Sequence, residues 1–202
     1  NASTVGAIDL KFYNIEDENN FIFFDKLENQ DFKLLYLIGS DNLEIKKNNE
    51  FIIYQGSHGD RNAEIADVIL PSPAYTEQDG LFTNLEGRIQ ECRKASYPTN
   101  EAMEDWQIFN LINNNLCKSD LFNNFLSIRN LALKEIPMFS EIDLLPQKNA
   151  PRNNKTFFAS ENEKMQIRSI DYYYSNAIAR ASKTMSDCRN INMINKKNGT
   201  NN

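Results

Sequence analysis

Three short runs, apolar at every position, constrain this chain more than any other feature: Leu34-Leu35-Tyr36-Leu37-Ile38, Phe51-Ile52-Ile53-Tyr54 and Val68-Ile69-Leu70. A strand with water on one face alternates polar and apolar residues. An unbroken apolar run is covered on both faces and belongs inside a mostly parallel sheet. Gly39 to Glu50 offers about the dozen residues that a parallel crossover needs, and Gly56 to Ala66 has room for one short helix. The opening segment therefore reads as α/β. Ahead of the first run, Asn19 to Phe32 mixes Phe and Leu with charges at no clean period, so its type stays open, with helix slightly ahead.

After Pro71 the pattern shifts to β-prone pieces punctuated by Gly80 and Gly87, which predicts extended segments joined by a tight turn. A helix is expected over about residues 100–116, capped by Thr99 or Asn100, with Ala102, Trp106, Phe109, Ile112 and Leu116 on one face. A second begins near Ser119, carries Leu121, Phe125, Ile128 and Ala132 at the same spacing, and is bounded by Pro137. From Pro146 to Arg168 no period holds, and Lys148, Arg152, Lys155 and Lys164 alternate with Asn and Ser, which reads as an arm. One final helix is predicted from Ser175 or Asn176, with the small-residue stripe Ile178, Ala181, Met185 and Cys188, docking either on its own domain or on a partner. The expected organisation is a partial parallel-sheet α/β domain with a helical pair over residues 1–140. An extended C-terminal arm, terminal helix and frayed tail occupy residues 141–202.

Composition excludes several classes. The net charge of −6 argues against phosphate-backbone binding, which needs a basic face, so no nucleic-acid partner is expected. No apolar run approaches the roughly 20 residues of a membrane span. Counted with Gly and without Tyr, the apolar share is about 40%, against roughly 45–50% in self-sufficient domains, so the core is thin. Cys92, Cys117 and Cys188 are odd in number and lack CxxC spacing, which predicts free thiols and no four-thiolate cage. Asn fills 29 of 202 positions, an excess that suggests an AT-rich coding source such as an organelle genome. The opening residue, Asn1, suggests a piece of something longer, either a fragment or a split subunit.

The densest chemical constellation is Gly56-Ser57-His58-Gly59-Asp60, in the loop after a buried strand where α/β sheets hold ligands. Its spacing disfavours a triad and departs from the GxSxG elbow. The plainer reading gives Gly56 and Gly59 a tight turn and makes Ser57 or Asp60 a helix cap. As a dinucleotide fingerprint the loop is short of one glycine, and Asp67 arrives too early to bind a ribose. Glu77, Asp79 and Glu86 are better read as solvated carboxylates, or Glu86 as a partner of Arg88, than as an acid/base pair. A single histidine, His58, with scattered cysteines does not make a zinc site. Tyr172-Tyr173-Tyr174 lacks basic interleaving and suits interface packing rather than base stacking, and the sequon Asn198-Gly199-Thr200 reads as chance.

The ordered residues Ala66, Asp67, Leu70, Pro71, Glu77, Gly80, Asn84, Glu86, Gly87, Arg88 and Gln90 form the pattern A-D-x-x-L-P…E…G-x-x-x-N-x-E-G-R-x-Q. This pattern is similar to that of the molybdopterin oxidoreductase superfamily. The preceding Gln55-Gly56-Ser57-His58-Gly59-Asp60 narrows the likeness to the C-terminal part of the largest iron–sulfur subunit of respiratory complex I, the proton-pumping NADH:ubiquinone oxidoreductase. Asp105-Trp106 and the opening Ala2–Leu10 also resemble that subunit, and Asp171–Met185 resembles the terminal helix of its mitochondrial version. The segments Asn14–Asp31 and Pro146–Lys164 depart from it.

The resemblance implies a molybdopterin-oxidoreductase-like fold and a structural role in the matrix-facing arm of complex I, peripheral to the mitochondrial inner membrane. It implies that the iron–sulfur clusters lie in the subunit's N-terminal half, with no cluster, molybdenum or catalytic residue in this chain. The partners it implies are that iron–sulfur half and other peripheral-arm subunits. The alternative is a fragment of an active molybdopterin-dependent oxidoreductase.

Overall fold

The computed structural model describes residues 4–12, 19–29, 31–40, 43, 45–145 and 171–197, and it separates into two compact units, Asn1–Pro146 and Gln147–Asn202. In the first unit the three apolar runs form a parallel sheet of strands β1 (Leu34–Ile38), β2 (Phe51–Gly56) and β3 (Val68–Pro71), ordered β1-β2-β3. Leu34 pairs with Phe51, Leu35 with Ile52 and Leu37 with Tyr54, while Ile53 pairs with Val68 across the other edge of β2. The pleat then sends Leu35, Leu37, Ile52 and Tyr54 to one face. There they form the core with Ala63, and Leu27, Phe32, Ile45, Ile65 and Ala66 pack around them. Burying each large side chain of this set contributes about 1.5–3 kcal/mol.

Two helices precede the sheet, α1 (Thr4–Asp9) and α2 (Asn19–Glu28), so the segment whose type was open is helical. Leu27 and Phe32 fasten α2 and its exit to the core. The short helix α3 (Arg61–Glu64) lies in the β2–β3 crossover, and its N-cap is Asp60, whose carboxylate accepts the Arg61 N–H at 2.8 Å. Strands β4 (Gly80–Thr83) and β5 (Ile89–Cys92) form an antiparallel hairpin. Asn84 shapes its turn by accepting the N–H groups of Glu86 and Arg88, both at 2.9 Å, and Gly87 supplies a left-handed φ of 83°.

The two helices after the hairpin both start later than their apolar spacing suggests. Helix α4 spans Asp105–Cys117, because Glu104 and Gln107 make a reciprocal capping box and Asn100 sits at φ 53°, outside the helical region. Its buried residue is Ile108, which flanks the predicted stripe, and Leu116 is exposed. Helix α5 spans Phe125–Glu135 behind an Asn124–Ser127 capping box, which leaves Leu121 outside it. Asparagines on α4 hold the connection: Asn110 accepts from the Leu121 and Phe122 amides at 2.7 and 3.0 Å and donates to Phe122 O at 2.7 Å. Asn113 donates to Ser119 O at 2.6 Å. Part of the Asn excess is therefore structural.

In the second unit the expected single helix is two. Asn176 caps α6 (Ala177–Ala181) through the Ala179 N–H at 2.8 Å, but Ser182 turns extended at ψ 121° and its hydroxyl accepts from the Met185 N–H, starting α7 (Lys183–Lys197). Ala181 and Cys188 are exposed, so the predicted small-residue stripe is broken. The packed side instead faces a 3-10 turn at Tyr172–Tyr174. Tyr174 donates to the Ser186 hydroxyl at 3.1 Å, the Arg189 guanidinium lies 4.6 Å over its ring, and Asp171 pairs with Arg189 at 2.6 Å. Arg189 thus provides the basic neighbour that the local tyrosine sequence lacks. The predicted arm from Pro146 to Arg168 and the sequon at Asn198 lie outside the described residues.

Candidate functional site

The carboxyl ends of β1 and β2 bring the predicted loop together with a helix that the loop's own sequence does not announce. At this edge Gln55 has no accessible surface, unusual for an amide in a strand core, and both ends of its side chain are bonded. Its Nε2 donates to Asp105 Oδ1 at 2.6 Å and its Oε1 accepts from the Tyr36 hydroxyl. The relay Tyr36–Gln55–Asp105 thereby ties β1 and β2 to the first residue of α4, where a carboxylate also suits the positive helix end. The Tyr36 ring meets Phe109 of α4 edge-on, with centroids 6.0 Å apart. Burial, and then the Asp105 charge, push the Tyr36 phenol above its ordinary range.

The Gly56–Asp60 loop is fixed from beneath. The Tyr54 hydroxyl donates to the His58 carbonyl at 2.9 Å, and Asn62, nearly inaccessible, donates to Ser40 O at the end of β1. Adjacent Ser57 and His58 meet, Oγ to Nδ1, at 2.9 Å, a contact that their spacing disfavours. A triad does not follow, because Asp60 caps α3 and, among the described residues, no carboxylate bonds the imidazole. Gly56 is needed for the close approach of Tyr54 rather than for a left-handed turn, and a side chain at Gly59 would meet open space.

The other carboxylates also bond backbone. Asp67 accepts the Ile52 N–H at 2.8 Å and pairs with Lys47; the Lys47 hydrogen bond, then the Ile52 amide, hold its carboxyl below the usual range. Glu77 accepts from the Ala74 N–H at 3.0 Å and the Thr99 hydroxyl at 3.4 Å, and Asp79 accepts from the Lys94 N–H at 2.9 Å. Asp79 and Glu86 flank opposite ends of β4, roughly 13 Å apart by strand rise, too far for a paired acid and base. Arg88 does not pair with Glu86; its guanidinium donates to Asp143 O at 3.4 Å. Among the described residues, no group of three or more His, Cys, Asp or Glu side chains is placed to hold a metal ion, and no helix is long and apolar enough to cross a membrane. The strand order runs in one direction, so these strands lack the reversal at which open α/β sheets bind ligands.

Gln55 and Asp105 are the members of this edge that pattern-matching for catalysis overlooks. The available signal was an amide closing an otherwise apolar strand.

A parallel α/β sheet followed by an antiparallel hairpin, with Asp67, Glu77, Asn84 and Gly87 in fixed backbone roles, defines a domain class, and comparison supplies the family. Residues 1–115 match the family model described as molybdopterin oxidoreductase, and the chain belongs to that family. It is 34% identical over 197 residues to the NADH-ubiquinone oxidoreductase 75 kDa subunit of Reclinomonas americana, covering 96% of this chain and 28% of that protein. It is 39% identical over 189 residues to an NADH-quinone oxidoreductase subunit of Rickettsia bellii, covering 93% of this chain and 26% of that protein. With the mitochondrial NADH-ubiquinone oxidoreductase 78 kDa subunit of Candida albicans the identity is 34% over 201 residues, again 93% and 26%. The chain therefore spans about a quarter of the length of these relatives and is similar to their C-terminal part.

Proposed function

We propose that this chain is a structural part of the peripheral arm of NADH:ubiquinone oxidoreductase, supporting the iron–sulfur module without holding a cluster, a molybdenum ion or a catalytic residue itself. One observation carries the reading: the residues that make the family pattern are spent on the fold. Asp67 bonds the Ile52 amide, Glu77 the Ala74 amide, Asn84 the hairpin turn, and Asp60 the start of α3. The buried amides at the sheet edge, Gln55 and Asn62, bond other parts of the chain. A site waiting for a pterin or substrate would keep polar groups directed at it.

The whole subunit's electron transfer belongs, in this reading, to residues beyond this chain, and the location is the matrix side of the mitochondrial inner membrane. The mitochondrial relative of Candida albicans supports the location, and all three relatives support the subunit assignment. The test is mass spectrometry with metal analysis on purified NADH:ubiquinone oxidoreductase from the source cells. The chain is expected at unit stoichiometry with iron and without molybdenum or tungsten. Its absence overturns the assignment, and stoichiometric molybdenum or tungsten selects the alternative, a fragment of an active molybdopterin-dependent oxidoreductase.

A further inference from the structure

The outer edge of β1 is built as an interior strand, and among the described residues no strand pairs with it. Phe51 N–H donates to Lys33 O at 2.9 Å and Gly39 N–H to Gln55 O at 2.8 Å, which places the odd-numbered backbone groups of β1 toward β2. By alternation the N–H and C=O groups of Leu34, Tyr36 and Ile38 point the other way, and among the described residues nothing bonds them. Outer strands are normally blunted by Lys, Pro or a bulge, and Leu-Leu-Tyr-Leu-Ile has none of these. Leu34 and Ile38 are 55% and 50% exposed, and Phe51, beside Leu34 on β2, is 46% exposed. The opposite edge is different: β3 ends in Pro71, which lacks a donor, and the Met103 N–H caps the Pro71 carbonyl at 3.2 Å.

We propose that the β1 edge takes a further apolar strand from the part of the subunit that lies outside this chain. This rests on the reading of the chain as part of an NADH:ubiquinone oxidoreductase subunit. The relatives are nearly four times as long, since 26–28% of each is matched, so most of such a subunit remains to supply the strand. Parallel sheets continue across their strands, and an added strand would bond three outward donors and three acceptors while setting its own side chains beside Leu34 and Ile38. Whether that strand is joined to this chain or carried on another polypeptide, the recognition is the same.

Hydrogen exchange followed by mass spectrometry tests it, comparing peptides that span Leu34–Ile38 in the purified chain and in the purified respiratory complex. The expectation is at least tenfold slower exchange in the complex. Ile38→Pro removes an outward N–H without touching the β1–β2 ladder, and Ile38→Lys puts a charge on the same edge. Each is expected to lower recovery of the chain in the complex at least tenfold while its own far-ultraviolet circular dichroism is unchanged. Equal exchange in both states, with the chain present in the complex, overturns this inference alone. Slow exchange in the isolated chain that vanishes on dilution overturns it in favour of a second copy at the edge. Absence of the unaltered chain from the complex overturns the underlying assignment as well.

Discussion

The phenolic oxygen of Tyr54 stands 2.5 Å from the point that a β-carbon on Gly56 would occupy, and two ring carbons of Tyr54 lie within 2.9 Å of it. Tyr54 is 1% exposed and anchored to the His58 carbonyl, so the ring has nowhere to move without leaving the core and releasing the loop. Gly56→Ala is therefore predicted to destabilise the chain by about 1–3 kcal/mol, as overpacking does. Tyr54→Phe, which removes the hydroxyl that bonds the His58 carbonyl, should cost about 0.5–1.5 kcal/mol. Urea denaturation of the purified chain measures both, and an alanine variant as stable as the unaltered chain would refute the contact.

That contact is not written in the local sequence. The glycine was visible, but its partner two residues back was not, because the demand comes from a side chain packed across the pleat rather than from a turn. The sheet itself was legible: β1 has the bounds of its apolar run, which Lys33 and Gly39 close on either side. Helix starts were less so. Asn100 at φ 53° and the Glu104–Gln107 box displace α4, and the Ser182 hydroxyl divides the last helix, choices made by single hydrogen bonds that a periodicity averages away. At the candidate site Ser57, His58 and Asp60 were in view, whereas Gln55 and Asp105 are separated by 50 positions and meet only through the packing of α4 on the sheet.

The Tyr36–Gln55–Asp105 relay predicts a specific alkaline response. Because the folded-state phenol is raised, mainly by burial and then by Asp105, its contribution is fully present below the unfolded tyrosine value of about 10. It is lost as pH climbs through the folded value. Ultraviolet titration should show Tyr36 ionising late, and Asp105→Asn should move it back only part of the way, since burial remains. Gln55→Ala, which leaves the Tyr36 hydroxyl and Asp105 without their shared partner and opens a cavity, should cost about 2–4 kcal/mol in urea denaturation.

Asp67 gives the opposite limb. Its carboxyl is held low by the Lys47 hydrogen bond and the Ile52 amide, so its contribution is present above the unfolded aspartate value of about 3.9 and disappears as pH falls through the folded one. Asp67→Asn should flatten that acid limb in stability measured from pH 6 down to pH 3. Lys47→Met should flatten it less, because the Ile52 amide still bonds the carboxylate. Salt should weaken the Lys47 contribution and leave the amide bond largely intact, since both charged groups are partly exposed.

Asp9 runs against the pattern of carboxylates satisfied by backbone. It is the last residue of α1, where the helix end is already negative, and its Oδ2 is buried without a hydrogen-bond partner, the one such atom among the described residues. Burial raises its pKa, so the sign is that of a group more comfortable protonated: its contribution is intact below the unfolded value and is lost as pH rises through the raised folded value. At neutral pH the carboxylate then weakens α1, which rests on the hairpin with Gly6 close against Thr83. Asp9→Ala should remove both the misplaced charge and the orphaned oxygen and stabilise the chain by about 0.3–1 kcal/mol at pH 7, with little gain at pH 3. Thermal denaturation at the two pH values measures the difference. A loss of stability at pH 7 would overturn this reading and mean that the Asp9 carboxylate has a favourable partner within the chain.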